Sequence, residues 1–351
     1  MPKIVVNQER LGLLRTKLLS WYDRNRRDLP WRRTHDPYAI WISEIMLQQT
    51  RVAVVVERYQ DFMRRFPTVS DLANAPEDAV LAAWSGLGYY RRARMLHKAA
   101  QAVMTVHQGV MPKGAAGLRA LPGVGGYTAA AVASIAYNEP IAAVDGNVER
   151  VLCRVAGWAA NGGHERKVEA LAARVVDGQR PGDFNQAVME LGATVCVPRN
   201  PQCLVCPITE ACKTRGEHKT AKRERAVVRE VGHALCLKST RTGDAGDMET
   251  AAAVLLEQRP ASVTVMPGLW ELPALRETPN GKVRMTVRHA IMNVNYIVHI
   301  RKVDEEQVRE LTLTGGERRW VPVREAESMA LTGLTRKVLK RVNGPITANS
   351  R

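Results

Sequence analysis

Residues Leu118 to Asp145 read LRALPGVGGYTAAAVASIAYNEPIAAVD, and the rest of the chain is organised around them. The spacing predicts one helix ending near Ala120 and a second from about Tyr127 to Tyr137, joined by Leu121-Pro122-Gly123-Val124-Gly125-Gly126. Glycines in such a turn let backbone amides face outward and approach a bulky partner, because no Cβ stands in the way. The amides at the start of the second helix are then a seat for a phosphate. A glycine-rich turn between two buried helices is the plainer reading, and the motif alone does not decide between them. The second helix carries Ala129, Ala130, Ala131, Ala133 and Ser134, so something must pack close to it. Asn138-Glu139-Pro140 ends it, and an apolar strip then delivers one acid, Asp145, ahead of Gly146 and Asn147.

A second acid lies upstream. Glu44 sits in the apolar run WISEIMLQQTR (41–51), where an ionised carboxylate is costly and its pKa rises, so it can carry a proton near neutral pH and act as a general acid. The alternative places Glu44 at the surface or beside an arginine. Leu47, Gln48, Gln49 and Thr50 follow at the helix end, where amides and a hydroxyl can read base edges or fill the gap left by an extruded base. Leu29-Pro30-Trp31-Arg32 sets an aromatic among cations, a combination that stacks on a base and holds a phosphate, or else a tryptophan packed beneath a loop. Ser85 to Arg92 (SGLGYYRR) is a turn with two aromatics, a wedge for DNA or a buried tyrosine pair.

The formal net charge of +16 over 351 residues makes a polyanion the leading class of partner. No apolar run is long enough to span a membrane and the first residues lack a signal-peptide core, so a cytoplasmic monomer with access to the chromosome and no membrane partner is expected. Of six cysteines, Cys196, Cys203, Cys206 and Cys212 form C-x6-C-x2-C-x5-C, a set that takes either a zinc ion or an iron-sulfur cluster. Cys153 and Cys236 are expected in cores. Asn7 reads as the cap of a first helix bearing Leu11, Leu14, Leu18 and Trp21; Thr68 and Asp71 form a capping box, and Pro76 opens a short helix. Further helices are expected near 147–158, 164–177 and 183–195, with no strands before the cysteines. A charged linker spans 216–226. Beyond it, strands near 227–237, 251–257, 283–287, 296–303 and 320–323 with helices near 325–330 and 334–342 predict an α+β domain over 227–345, followed by a tail at 346–351.

With DLPWR, SEIMLQQTRV, GLGYYRRAR, LPGVGGYTA, VDGNVERV, MELGATVC and the four cysteines in order, the chain resembles the endonuclease III superfamily of helix-hairpin-helix DNA glycosylases, and within it the adenine-specific MutY type. The resemblance implies an all-α catalytic region over 1–215, a six-helix barrel at about 30–140 plus an iron-sulfur cluster module, followed by an α+β nudix-like domain. It implies a 4Fe-4S cluster on the four cysteines, and a monovalent cation at the hairpin is a second candidate cofactor. Glu44 and Asp145 are expected to face each other across a cleft, with Tyr127 and Asn147 orienting the latter. Gln49 and Tyr89 would hold the duplex open, Gly123 and Gly125 would meet the phosphate, Arg32 would contact DNA, and Arg27, Trp31 and Glu190 would line the base pocket. In members that also cut the strand a lysine follows the hairpin; Tyr127 stands there instead, so base removal should stop at an abasic site. The expected partner is double-stranded DNA holding a mismatched or oxidised pair, with adenine opposite 8-oxoguanine or guanine as substrate. A glycosylase for thymine or uracil opposite guanine is the alternative within the fold, and a non-catalytic redox-sensing DNA-binding protein the alternative outside it. The second domain resembles the one that reads 8-oxoguanine: PGLWELP (267–273) fits, and Val287-Arg288-His289 begins the expected lesion-reading loop. That loop would end in Phe-Ser-His, where this chain has Ile291-Met292-Asn293, leaving the Asn293 amide in place of the serine and histidine.

Overall fold

A computed structural model describes residues 8–159, 163–217, 227–240, 251–275, 283–291, 294–304, 306–308, 316–326 and 328–343. Asn7, Asn293, most of the expected linker and the tail lie outside them. The chain divides into two compact units, Met1–Asn74 with Met95–Arg223, and Ala75–Arg94 with Glu224–Arg351. The stretch 75–94 therefore groups with the C-terminal part, to which Tyr90 ties it by donating its buried hydroxyl to Leu331 O at 3.2 Å.

Up to the cysteines the described residues are helical, as the absence of alternating patterns required. The helices are α1 (Gln8–Asn25), α2 (Pro37–Leu47), α3 (Val52–Arg65), α4 (Val69–Asn74), α5 (Glu77–Ala83), α6 (Arg91–Val106), α7 (Gly114–Arg119), α8 (Gly126–Tyr137), α9 (Gly146–Ala156), α10 (Glu165–Val175) and α11 (Pro181–Thr194). The Thr68 and Asp71 capping box forms with reciprocal bonds of 3.2 and 3.0 Å. Leu11, Leu14 and Leu18 of α1 meet Val148, Val151 and Leu152 of α9, Leu171 of α10 and Phe184 and Leu191 of α11 in one core, and Cys196 and Cys206 pack against its edge.

The alanine-rich helix α8 packs among α2, α7 and α11. Its small residues are needed because α11 crosses at backbone distance: a Cβ at Gly182 would stand 2.7 Å from Ser134 O and 2.8 Å from Ile135 Cα. Gly182→Ala must push two helices apart and is expected to lower unfolding stability by about 1–3 kcal/mol in a urea titration. Beside that crossing, buried Asn185 accepts from Ala143 N at 3.1 Å and donates to Ser134 Oγ and Ile141 O, both at 2.9 Å. One amide thus pins the extended strip that leads to Asp145.

Among its described residues, the C-terminal unit has two sheets. In one, β1 (Val227–Leu235) runs parallel to β6 (Val294–Lys302), which pairs antiparallel with β5 (Met285–Ile291). In the other, β3 (Ala251–Gln258) pairs antiparallel with β2 (Leu237–Thr240), β4 (Trp270–Glu271) and β7 (Arg318–Pro322). Glu257 pairs with both Glu271 and Arg318, so β4 and β7 take opposite edges of β3. Helices α12 (Val323–Ala326) and α13 (Gly333–Asn343) complete it, and Leu334 and Val338 of α13 share a core with Leu235, Val254, Leu272, Val287 and Val298. The expected lesion-reading loop is corrected here. Val287, Arg288 and His289 lie inside β5, which pairs with β6 as far as Ile291↔Val294, and the loop tip at residues 292 and 293 lies outside the described residues. The alternation of Val287, His289 and Ile291 had already suited a strand.

Candidate functional site

Four elements of the first unit bring charged groups together. The α2 helix is capped by Asp36, which accepts from Tyr38 N and Ala39 N, and is buried on nearly every side, so Glu44 has no route to solvent along it. Tyr127, in the first turn of α8, donates its hydroxyl to Glu44 Oε2 at 2.6 Å and lies 3.2 Å from Met189 Sδ of α11. Burial pushes the Glu44 carboxyl up to about 7, with the Tyr127 hydrogen bond and the Arg32 charge opposing and the Asp145 charge adding to the rise. Burial also raises the Tyr127 phenol far above its ordinary range, with Glu44 and Asp145 adding to it, so the hydroxyl keeps its proton and remains a donor.

Asp145 is the N-cap of α9. Its Oδ1 accepts from Val148 N at 2.7 Å and its Oδ2 from Asn147 Nδ2 at 2.8 Å, at the helix end where negative charge is favoured. Asn147 is held in turn: Arg150 Nη2 donates to its Oδ1 at 2.8 Å and to Gly192 O at 2.7 Å, and Arg150 Nε donates to Cys196 O at 2.9 Å. Sequence reading missed Arg150, although its place three residues after Asn147 on one helix face was a usable signal. The first cysteine's backbone is thereby two side chains away from the Asp145 carboxylate.

Glu190, assigned to pocket lining, is the centre of an ion cluster. It accepts from Arg27 Nε at 2.7 Å, Arg27 Nη2 at 2.8 Å and Arg32 Nη2 at 2.8 Å. Burial alone would raise its carboxyl, but the two guanidinium groups reverse that and hold it at about 2. A folded-state value below the unfolded 4.5 means that this contribution is complete above pH 4.5 and is lost as pH falls towards 2. Glu190→Ala strands Arg32 beneath the surface and should cost about 3–5 kcal/mol in equilibrium unfolding.

The other sequence candidates separate. Gly123 has φ +74° and a Cβ there would lie 2.5 Å from Met95 Cβ, whereas one at Gly125 or Gly126 would meet nothing of the protein within 4 Å. The hairpin backbone at 125–126 is therefore open to a partner. Gln48 donates to Thr128 Oγ1 at 3.1 Å, joining the end of α2 to α8, with Leu47 and Thr50 half-buried beside it. Gln49 and Tyr89 are exposed and both adopt left-handed φ, +56° and +48°, a strained backbone that holds a side chain out. The tyrosine pair is thus divided, Tyr90 inside and Tyr89 outside. Trp31 is a correction: it is 6% exposed and meets Tyr59 edge to face at 5.4 Å, so too little of the ring is open for a base to stack on. His289 lies on β5, half-buried, with Lys337 Nζ 3.4 Å from its Nδ1. Cys153 and Cys236 are buried in cores, as expected.

Cys196, Cys203, Cys206 and Cys212 line one pocket with Arg154, whose Nη1 is 3.4 Å from Cys196 Sγ. All four are free thiols. Burial pushes the Cys206 thiol up to about 11, and the charges of Cys196, Cys212 and Cys203 add to the rise. Such crowding is relieved by a cationic group bonded to the sulfurs. Among the described residues, no three His, Cys, Asp or Glu side chains are gathered as a single ion would require.

Paired helices joined by an open glycine hairpin, beside one neutral-range acid and one capped aspartate, define a helix-hairpin-helix fold. The chain belongs to the HhH-GPD superfamily of base excision DNA repair proteins, whose sequence pattern matches residues 42–177. A solved thermostable thymine-DNA glycosylase is 31% identical with a TM-score of 0.54, covering 59% of this chain and 97% of that one. Endonuclease III trapped on DNA has the same fold, with a TM-score of 0.53 at 22% identity over 60% of this chain and 98% of that one. An adenine DNA glycosylase of Homo sapiens is 49% identical over 57% of this chain and 39% of its own length, and one of Rattus norvegicus is 39% identical over 76% and 61%. The chain spans less than two thirds of the length of these two relatives.

Proposed function

We propose that the chain is a monofunctional DNA glycosylase that hydrolyses the N-glycosidic bond of adenine mispaired with guanine or 8-oxoguanine and leaves an abasic site. The observation that carries this reading is the Tyr127 to Glu44 hydrogen bond inside a buried wall, with Asp145 close enough for its charge to act on Glu44. A purine leaves deoxyribose once its ring nitrogen is protonated, and an acid whose pKa is about 7 keeps a substantial protonated fraction at neutral pH. The C1′–N9 bond then breaks with its electron pair going to the protonated adenine. The sugar develops oxocarbenium charge, which the Asp145 carboxylate stabilises or captures transiently. Water adds at C1′ and loses a proton. Tyr127 has no amine for a Schiff base, which accounts for a reaction that ends without strand cleavage. To reach buried Glu44 the base must leave the stack, and exposed Gln49 is the side chain to fill the gap.

The four cysteines line one pocket, and the family resemblance favours a 4Fe-4S cluster held by them. When bound, the cluster supplies four iron-thiolate cross-links to the loop. Arg154 and Arg150 then fix the Cys196 backbone against α9. The nudix-like reading of the C-terminal unit assigns it to the base opposite the adenine, on double-stranded DNA in the cytoplasm, with the chain acting as a monomer.

The 31% likeness to a thymine-DNA glycosylase favours a second reading, removal of thymine or uracil opposite guanine. A single-turnover panel of duplexes with A opposite 8-oxoguanine, A opposite G, and T or U opposite G separates the two. We expect adenine release alone, alkali-labile sites without spontaneous nicking, and no borohydride-trapped adduct. Release confined to T or U overturns the adenine assignment.

A further inference from the structure

The Tyr127 hydroxyl has one proton and two acceptors within reach, Glu44 Oε2 at 2.6 Å and Met189 Sδ at 3.2 Å. The sulfur is held there by the way α11 crosses α8. Gly182 meets α8 at Ser134, and Met189 meets it at Tyr127. From 182 to 189 along one helix and from 134 back to 127 along the other is about two turns each, so the two helices run antiparallel in step. Asn185, one turn before Met189 on the same face, donates to Ser134 Oγ at 2.9 Å, and Glu190, the next residue, is anchored by Arg27 and Arg32. Met189 is half-buried against the core of α1, α9, α10 and α11. A side chain placed by so many neighbours has little freedom to leave the hydroxyl.

A thioether only accepts, whereas a phenol both accepts and donates. With Glu44 ionised, the hydroxyl donates to the carboxylate, and 2.6 Å is the length of such a charge-assisted bond. With Glu44 protonated on Oε2 the direction reverses: the carboxyl donates and the phenol oxygen accepts. The phenol proton must then turn elsewhere, and a buried donor without an acceptor is costly. Met189 Sδ is the acceptor that remains, whereas leucine at 189 would offer none.

We propose that Met189 is a positioning residue for the acid: its sulfur is the alternative acceptor for the Tyr127 hydroxyl, and so gives protonated Glu44 a second fully bonded arrangement. This role rests on Glu44 being the acid of the proposed reaction. The charged and titratable groups acting on Glu44 are Tyr127 from α8, Asp145 from the start of α9 and Arg32 from the segment before α2. On α11, Glu190 is neutralised by Arg27 and Arg32. Met189 carries no charge, so its effect on the acid passes through the direction of one O–H bond and is specific to the sulfur atom.

The test is an NMR titration of the full chain labelled with carbon-13 at the glutamate carboxyls, in which the Glu44 resonance is the one absent from Glu44→Gln. In Met189→Leu its midpoint should fall by about half a pH unit, since sulfur is a weak acceptor and such a bond lies at the low end of the usual range. Norleucine, which replaces sulfur by a methylene at every methionine and keeps the shape, should give the same fall in the parent and no further fall in Met189→Leu. In Tyr127→Phe neither replacement should move the midpoint, because the sulfur acts only through that hydroxyl. A midpoint that norleucine leaves unmoved or raises in the parent, or a fall that persists in Tyr127→Phe, overturns the proposal. The midpoint is read without base release, and the alkaline limb of release should move with it. A midpoint that falls while the limb stays in place keeps the Met189 bond and removes Glu44 as the proton donor, so the two failures are told apart.

Discussion

Asp145→Asn is expected to slow single-turnover base release by about 10³-fold or more while leaving duplex binding as tight as in the parent, since preorganised charge facing a developing cation contributes more to rate than any other group in such a site. The substitution is nearly isosteric. Asparagine caps helices as well as aspartate does, and the bond from Val148 N to the position of Oδ1 survives, so α9 keeps its start. What changes is the charge facing the sugar and the partner of Asn147. The amide nitrogen that replaces Oδ2 would point its hydrogens at Asn147 Nδ2, donor against donor, where a 2.8 Å bond had been. Loss of one negative charge near the phosphate backbone does not weaken binding, and a gel-shift titration against the same duplex shows this directly. Parent-like base release by the variant would remove Asp145 from the reaction and with it the catalytic assignment.

The parts of this site legible in the sequence are those whose geometry is local. The turn at 121–126, the acid Asp145 delivered ahead of Gly146 and Asn147, and the four cysteines within one short loop all follow from spacing along the chain. Glu44 was legible through its apolar neighbours. The parts that were not legible are long-range. Glu190 is more than 150 positions from Arg27 and Arg32 in sequence, and nothing in MELGATVC says that its carboxylate is already held by two guanidinium groups. Trp31 could not be sorted into stacking or support without knowing that Tyr59 comes up beneath it. The alanine run of α8 announced a close neighbour, but its identity, Gly182 of α11, lies some fifty residues later. In the C-terminal unit the five longer strands were found and β2 and β4 were not, because four and two residues carry too little alternation to stand out. Val287, Arg288 and His289 were expected to begin a loop for a related reason: a family resemblance overrode an alternation that already described a strand.

For Glu44→Gln the expected result is a loss of about 10²–10⁴-fold in base release together with the disappearance of a limb in the pH profile. With the folded-state carboxyl at about 7, the parent holds its proton on roughly half the molecules at neutral pH, so single-turnover release should be flat well below pH 7 and fall tenfold per pH unit above it. Glutamine keeps a carbonyl oxygen to accept from Tyr127 but has no proton to give, so both the rate and the alkaline limb go. Tyr127→Phe gives the sign of the hydrogen bond. That bond favours the ionised carboxyl, so removing it should move the limb to higher pH. The same shift acts on stability. A carboxyl that protonates more readily folded than unfolded lets stability fall as pH rises from 4.5 to about 7 and changes nothing beyond, so Glu44→Gln should unfold at higher denaturant than the parent at pH 8. A variant at Glu44 that retained the parent's alkaline limb would place the titrating acid elsewhere, and the first half of the proposed reaction would lose its proton donor.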